Sequence, residues 1–281
     1  MAHLNDNLHL TGRLGGIIYY QRNGRTYSRV LPDRRPRRPA TQAQMPLRAR
    51  WGNVVNLWKA FSFGPRPTFE ERPCGSTDYN CFFSAALRGQ RIYLTRQQLR
   101  DGCCIVTPLL ISEGTLPEVG ATRDSQGLVS DIALGTLDIT PDTTLAQLAS
   151  AIVKNNAHFL PGDGLAFVSL LQRIAPDGSP SAMACWRQIT LDLADNTPLT
   201  YLTGRSVGFA SRNGLLASSA DPLGGHCWVH TRDVTKDHTI RSTQRLLCNN
   251  DDLQARYSSP EAYAASAQSY GPITPDPLLR P

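Results

Sequence analysis

The sequence predicts an α+β protein: a mainly antiparallel, β-sandwich-like body with a few helices and a basic β-hairpin arm at its N-terminus. Three observations carry this. Short apolar runs separated by Gly, Pro, Asn and Asp turns fill the second half of the chain. Helical periodicity is confined to a few segments. Positive charge is concentrated at the start: residues 1–50 hold ten Arg against Asp6 and Asp33, so a chain of net charge +6 carries about −2 on its other 231 residues.

With 281 residues and 41% hydrophobic content the chain can bury a proper core, and 20 Pro with 22 Gly make it rich in turns. Of its 29 basic side chains only Lys59, Lys154 and Lys236 are lysine. Arginine suits bidentate contacts to carboxylates and phosphates and stacks on rings, which serves protein interfaces and nucleic acids alike.

The arm begins where Ile17 to Arg22 and Arg25 to Leu31 flank Asn23-Gly24, a pair that tolerates the positive φ angles of a two-residue type I′ turn. Such a loop sets Arg22 opposite Arg25, Tyr20 opposite Tyr27 and Ile18 opposite Arg29 on one face. Ile17, Tyr19, Gln21, Thr26, Ser28 and Val30 occupy the other. The following "PDRRPRRPAT" has three prolines and four arginines and no apolar run, so it reads as an extended linker held only by solvent or a partner.

Thr41 and Gln44 make a capping-box pattern ahead of Leu47, Trp51, Val54, Val55, Trp58 and Phe61, which predicts an amphipathic helix over roughly 42–62. After a loop over 62–80, an apolar element surrounds Cys81 to Leu87. Thr95 and Gln98 cap a short helix ending near Gly102, and "CCIVTPLLIS" at 103–112 reads as a strand with Pro108 at an edge or bulge. Strands are expected over 128–139, 165–174, 184–193, 205–211 and 226–230. A helix from Thr144 to Asn155, capped by Thr143, buries Leu145, Leu148, Ala149, Ile152 and Val153. Ser259-Pro260-Glu261 opens a last helix to about Ser269, because proline is well placed at a first helical position. The organisation is an arm and linker (1–40), a helix-containing region (41–125) and a β-rich domain (126–281) with helices 144–155 and 260–269. No period of 20 to 50 residues marks a repeat architecture.

Signals for catalysis are weak. "GGHCWVH" offers His226, Cys227 and His230 as nitrogen and sulfur ligands, yet on a strand His226, Trp228 and His230 share one face while Cys227 points to the other. A packed strand end is the plainer reading. Asp163, between Gly162 and Gly164, reads as a turn acid before a strand rather than a metal ligand. "GRLGG" at 12–16 lacks both the dinucleotide fingerprint and a phosphate-loop lysine. Seven cysteines at irregular spacing, without C-x-x-C, read as reduced structural thiols. No nucleophile elbow, H-E-x-x-H or calcium-loop spacing occurs, and no cofactor is expected.

The islands "YYQRNGRTYSRVLP…RRPATQAQMPLRARW", "ISEGTLPEV", "NNAHFLPGDGLAFVSLLQ" and "AYAASAQSYG…LL" span most of the chain. Together they resemble an uncharacterised family encoded by gut-associated bacteria, their phages and integrated mobile elements. The resemblance carries over no catalytic residue; it implies a phage or mobile-element setting, where virion, assembly and DNA-associated proteins are common.

The expectation is therefore a non-enzymatic structural or assembly component of a phage virion or related element. Tyr20, Arg22, Arg25, Tyr27, Arg29, Arg34, Arg35, Arg37 and Arg38 would contact a partner subunit, in a homo-oligomer or with other virion proteins. The alternative is a DNA-associated protein using the same arm on the phosphate backbone, with tyrosines as stacking faces. Third stands an enzyme using a thiol or a metal near Cys227. No basic start precedes an apolar stretch, and no run approaches the roughly 18 apolar residues of a membrane span. The expected location is the virion or the host cytoplasm, reached without a signal peptide.

Overall fold

The computed structural model describes residues 11–22, 25–31, 44–62, 66–73, 75–89, 91–199, 209–236 and 238–270. Among these it holds six helices and fifteen strands in four mostly antiparallel sheets, an α+β fold with a β-rich body.

The body is organised by two long central strands, β8 (Gly164–Ile174) and β12 (Gly224–Thr235), antiparallel over eight residue pairs from Gly224↔Leu171 to Thr231↔Gly164. β9 (Pro180–Thr190) continues the sheet on the far side of β8, and β13 (His238–Arg241) and β15 (Leu247–Cys248) pair with β12. β8 reads "GLAFVSLLQRI", apolar at almost every position, because both of its faces are covered.

Alternation then distributes side chains between two cores. Ala166, Val168, Leu170, Cys227 and Val229 face helix α1 (Met45–Ala60), helix α2 (Asp78–Arg88) and β5 (Leu110–Glu113). Leu165, Phe167 and Trp228 face β7 (Gly127–Ala133), β11 (Leu215–Ser218) and helix α4 (Leu145–Asn155). β7 and β11 lie within a second sheet, flanked by β6 (Ala121–Asp124) and β10 (Phe209–Arg212), so the second layer is sheet on sheet, as the sequence led one to expect. A small third sheet runs β14-β5-β4, with β4 (Thr68–Phe69) parallel to β5 and β14 (Gln244–Arg245) antiparallel. That pairing, together with the first core, joins residues on both sides of position 125.

Several elements differ in detail from their sequence reading. α1 starts at Met45 with Gln44 as N-cap and no side-chain cap bond, and proline in its first turn sets the start instead. Thr41 lies outside the described residues. Gly52 stays in this helix because a Cβ there would lie 2.3 Å from a Leu99 methyl, so its absence lets α3 (Arg96–Arg100) pack close. The segment 103–109, buried at every position but Pro108, is not a strand. Its backbone bonds to side chains instead: Asn53 both donates to and accepts from Ile105, while Gln172 and Asn250 hold Val106. Helix α4 is capped by Thr144, not Thr143, in a full capping box with Gln147; Thr143 is buried in the preceding turn. The Thr95–Gln98 capping box forms as expected. Helix α5 (Asp251–Ser258), unanticipated, runs into α6 (Pro260–Ser269), whose Ser259 N-cap follows the sequence reading.

Strand lengths shift too. β7 stops at Ala133, β9 begins at Pro180, and β12 extends to Thr235 because β13 folds back on it. The expected strand 205–211 begins at Phe209 within the described residues, and 205–208 lie outside them.

Candidate interaction arm and the buried polar groups

The arm is a three-stranded antiparallel sheet. β2 (Ile17–Arg22) and β3 (Arg25–Val30) pair in the expected register, with Tyr20↔Tyr27, Ile18↔Arg29 and Arg22↔Arg25. Asn23-Gly24 lies outside the described residues. A further strand, β1 (Gly12–Leu14), folds back on β2 through Gly15, whose φ of +57° suits glycine. The "GRLGG" stretch is thus a strand and a turn.

Cross-strand partners share a face, so the register sorts the arm into two surfaces. One holds Arg13, Ile18, Tyr20, Arg25, Tyr27 and Arg29. There the Tyr20 and Tyr27 rings stack with centroids 5.7 Å apart, and the Arg29 guanidinium lies 5.9 Å from the Tyr20 centroid. The other surface holds Leu14, Ile17, Tyr19, Gln21, Thr26, Ser28 and Val30, all uncharged. Across its base Leu14, Ile17 and Val30 stand in one row, one from each strand, at 73%, 39% and 77% exposure. Sequence reading missed this row because a three-residue strand gives too short an alternation to register. Arg34, Arg35, Arg37 and Arg38 fall outside the described residues.

His226, Cys227 and His230 all lie on β12 and are all buried, but they do not converge. Cys227 sits in the first core, where burial drives its thiol far above the usual range. His226 packs flat on Phe167; its Nε2 donates to the Pro222 carbonyl at 2.9 Å, and its Nδ1 accepts from Ser169 Oγ at 2.9 Å. Ser169, His226 and Asp221 thus form a line of the kind a hydrolase uses, yet Ser169 is buried in the sheet, and the second ring nitrogen is bonded to the Pro222 carbonyl with the Asp221 carboxylate 3.9 Å away.

His230 belongs to a different group. Its Nε2 lies 2.7 Å from Asp163 Oδ2, and the Arg232 guanidinium grips the same carboxylate with Nε to Oδ1 at 2.7 Å and Nη2 to Oδ2 at 2.8 Å. The Leu160 amide donates to Oδ2 at 2.8 Å, and Arg232 Nη2 also donates to the His158 carbonyl. Asp163 is a turn acid, as its glycine neighbours indicated, but it is only 2% exposed and ties the 158–163 loop to β12. Burial pushes its carboxyl upward, and the bonds from Arg232, Leu160 and His230 outweigh that and hold it below the ordinary range. Burial likewise holds His230 below its usual value despite Asp163. The neutral imidazole donates through Nε2, and Nδ1 has no partner among the described residues; the ring packs on Phe159 with centroids 4.1 Å apart. Two residues beyond His230 on a strand, Arg232 must share its face, but strand alternation does not bring Asp163 to them.

A cleft of about 1080 Å³ opens between α2 and the β5–β14 strands. Its wall mixes Arg72, Arg88 and Arg245 with Glu71, Glu113 and hydroxyl side chains, and no histidine lines it. Cys81, the one thiol there among the described residues, is raised by burial and by Asp78 and Glu113. Cys104 and Cys248 are pushed up to about 12, chiefly by burial. A thiol reacts as its thiolate, so each of these sits on the inert side. Among the described residues no three His, Cys, Asp or Glu side chains gather as a metal-binding group, and no helix is long and apolar enough to cross a membrane.

No family model, curated protein or solved structure matches the chain.

Proposed function

We propose that the protein is a non-enzymatic subunit-contact component, in the setting of a phage virion or related mobile-element assembly that its sequence resemblance implies. Its N-terminal arm docks on a neighbouring molecule. The observation that carries this is the Leu14–Ile17–Val30 row, a contiguous apolar strip exposed on a ribbon with no core of its own. A small isolated sheet gains little by folding alone, so a strip of this kind is explained by what covers it.

Magnitudes set the expected stoichiometry. Fully burying three such side chains stabilises by roughly 1.5–3 kcal/mol each, against an association cost on the order of 4–15 kcal/mol. One arm therefore gives a weak contact, and a stable assembly engages more than one per pair or ring. Hydrogen exchange of the full chain above and below its assembly concentration tests the reading. Amides of residues 12–31 are expected to become protected only on assembly; protection in a monomer overturns it.

A second reading is favoured by one observation, the stacked Tyr20–Tyr27 pair with Arg29 over it. This basic aromatic face fits nucleic-acid backbone and bases, and it lies opposite the apolar row, so the two contacts are compatible.

A further inference from the structure

We infer that the receptor for the arm is the exposed aromatic face of α1 and α2 on a second copy of this chain; this rests on the docking reading above. Among the described residues thirteen large hydrophobic side chains are exposed, and seven of them fall in two places. Four are on the arm; Leu47, Trp51 and Tyr79 are on α1 and α2. Of the remaining six, Ile174 and Leu223 line a small cleft edged by Asp251, Asp252 and Arg256, and the other four are Leu160, Leu193, Val234 and Leu247.

The receptor face is built from the helical period. Leu47, Trp51, Val55 and Trp58 follow one side of α1, and α2 brings Tyr79 and Phe83 against them. Trp51 and Phe83 have ring centroids 4.9 Å apart, Tyr79 and Phe83 4.2 Å, and Trp58 and Tyr79 5.3 Å in an edge arrangement. The rings hold one another rigidly, yet Trp51 remains 45% exposed. Rigid exposed tryptophan and tyrosine are the side chains that dominate protein interfaces.

Charge selects the occupant and its orientation. The Arg66 guanidinium stands 5.6 Å from the Trp58 centroid, α1 also carries Arg48 and Lys59, and Asp78, the acid next to Tyr79, is paired with Arg72 at 3.3 Å, so the charge left over beside the rings is positive. A basic surface would be repelled from it. The arm turns Arg13, Arg25 and Arg29 away from the row side, which holds Leu14, Ile17, Tyr19, Gln21, Thr26, Ser28 and Val30, all uncharged. Only that side meets a basic-rimmed aromatic face without like charges in contact. Both surfaces are open within one chain, since Leu14 and Val30 on the arm and Trp51 on the helix are exposed together; the arm does not cover its own face. The fourteen residues between Val30 and Met45 reach up to about 46 Å when extended, enough to carry an arm to a neighbour. An arm-to-face contact is heterologous, and reciprocal exchange between two copies closes it.

The experiment uses full-length chain, half of it isotopically heavy, with a photo-crosslinking phenylalanine analogue replacing Val30. Heavy-to-light crosslinks to residues 47–58 or 79–83 are expected. Crosslinks only within one chain, or to other segments, overturn the inference. A companion variant, Trp51→Ala/Tyr79→Ala, separates the two levels: checked for an unchanged circular dichroism spectrum, it is expected to weaken assembly at least tenfold. If it assembles like the parent while Leu14→Ser/Val30→Ser does not, the arm docks elsewhere and only this inference falls. If neither pair of changes affects assembly, the docking reading falls with it.

Discussion

Ile17 stands directly opposite Val30 in the β2–β3 ladder, and both side chains face solvent. Leu14, paired with Ile17 on the other side, completes an exposed row across three strands. The two central strands of the body bury their apolar residues thoroughly: Leu165, Val168, Leu170 and Trp228 have no measurable exposure. A protein that covers its core this well and leaves one row bare on a separate ribbon places the cost of that exposure where a contact can remove it.

The Asp163–His230–Arg232 group makes a stability prediction. Asp163→Ala strands two partners, one fully buried, and removes the bond that fixes Leu160. Breaking a buried pair by removing one side costs about 3–5 kcal/mol. Arg232→Gln should cost less, since that side chain keeps a quarter of its surface in water. Denaturant midpoints for the two variants check the order, and an equal or reversed ranking contradicts this geometry.

Acid should destabilise the protein in two stages. His226 and His230 are both held below the ordinary imidazole value of 6.5, mainly by burial. Between their unfolded and folded values the unfolded chain binds more protons, so stability is present above about pH 6.5 and falls as pH drops through that window. Asp163, held below the carboxylate range, adds a later loss below about pH 4 as it is protonated. Melting temperature from pH 8 to 5 is expected to fall below about 6.5, with a shallower slope in His226→Gln/His230→Gln. A flat profile in the parent contradicts the buried-neutral assignment.

The Arg/Tyr face predicts a salt-sensitive affinity for polyanions. Single-stranded DNA should bind more weakly as salt rises, and neutralising Arg34, Arg35, Arg37 and Arg38 to glutamine should reduce both the affinity and the salt slope. Assembly, which uses the Leu14–Ile17–Val30 row, should survive that change. Fluorescence anisotropy at low salt decides: no binding by the parent removes the nucleic-acid reading.

Helix capping gives a local check. Thr144→Ala removes the side-chain acceptor for the Gln147 amide and should cost about 1 kcal/mol, whereas Thr143→Ala acts only through its turn.

Much of the fold was legible where local chemistry decides it. The Thr95–Gln98 box, the apolar stripe of 145–152 and the Arg22↔Arg25 register all follow from residues a few positions apart. What escaped depends on distant partners. Residues 103–109 look like a strand, but Asn53, Gln172 and Asn250, far along the chain, take their backbone bonds. Asp163 is a turn acid as read, but its grip by Arg232 escaped because that arginine is 69 residues away. The arm's charged side was plain in the sequence. Its apolar side needed β1, which supplies Leu14 and turns Ile17 and Val30 into a row.

The central claim is that this row makes a subunit contact. Mass photometry of the full chain beside Leu14→Ser/Ile17→Ser/Val30→Ser tests it most directly. These exposed positions should leave the melting of the body unchanged, since surface substitutions shift stability by about 0.5 kcal/mol or less. The expected result is an oligomer for the parent and a monomer for the variant at the same concentration. A monomeric parent, or a variant that assembles equally well, contradicts the claim.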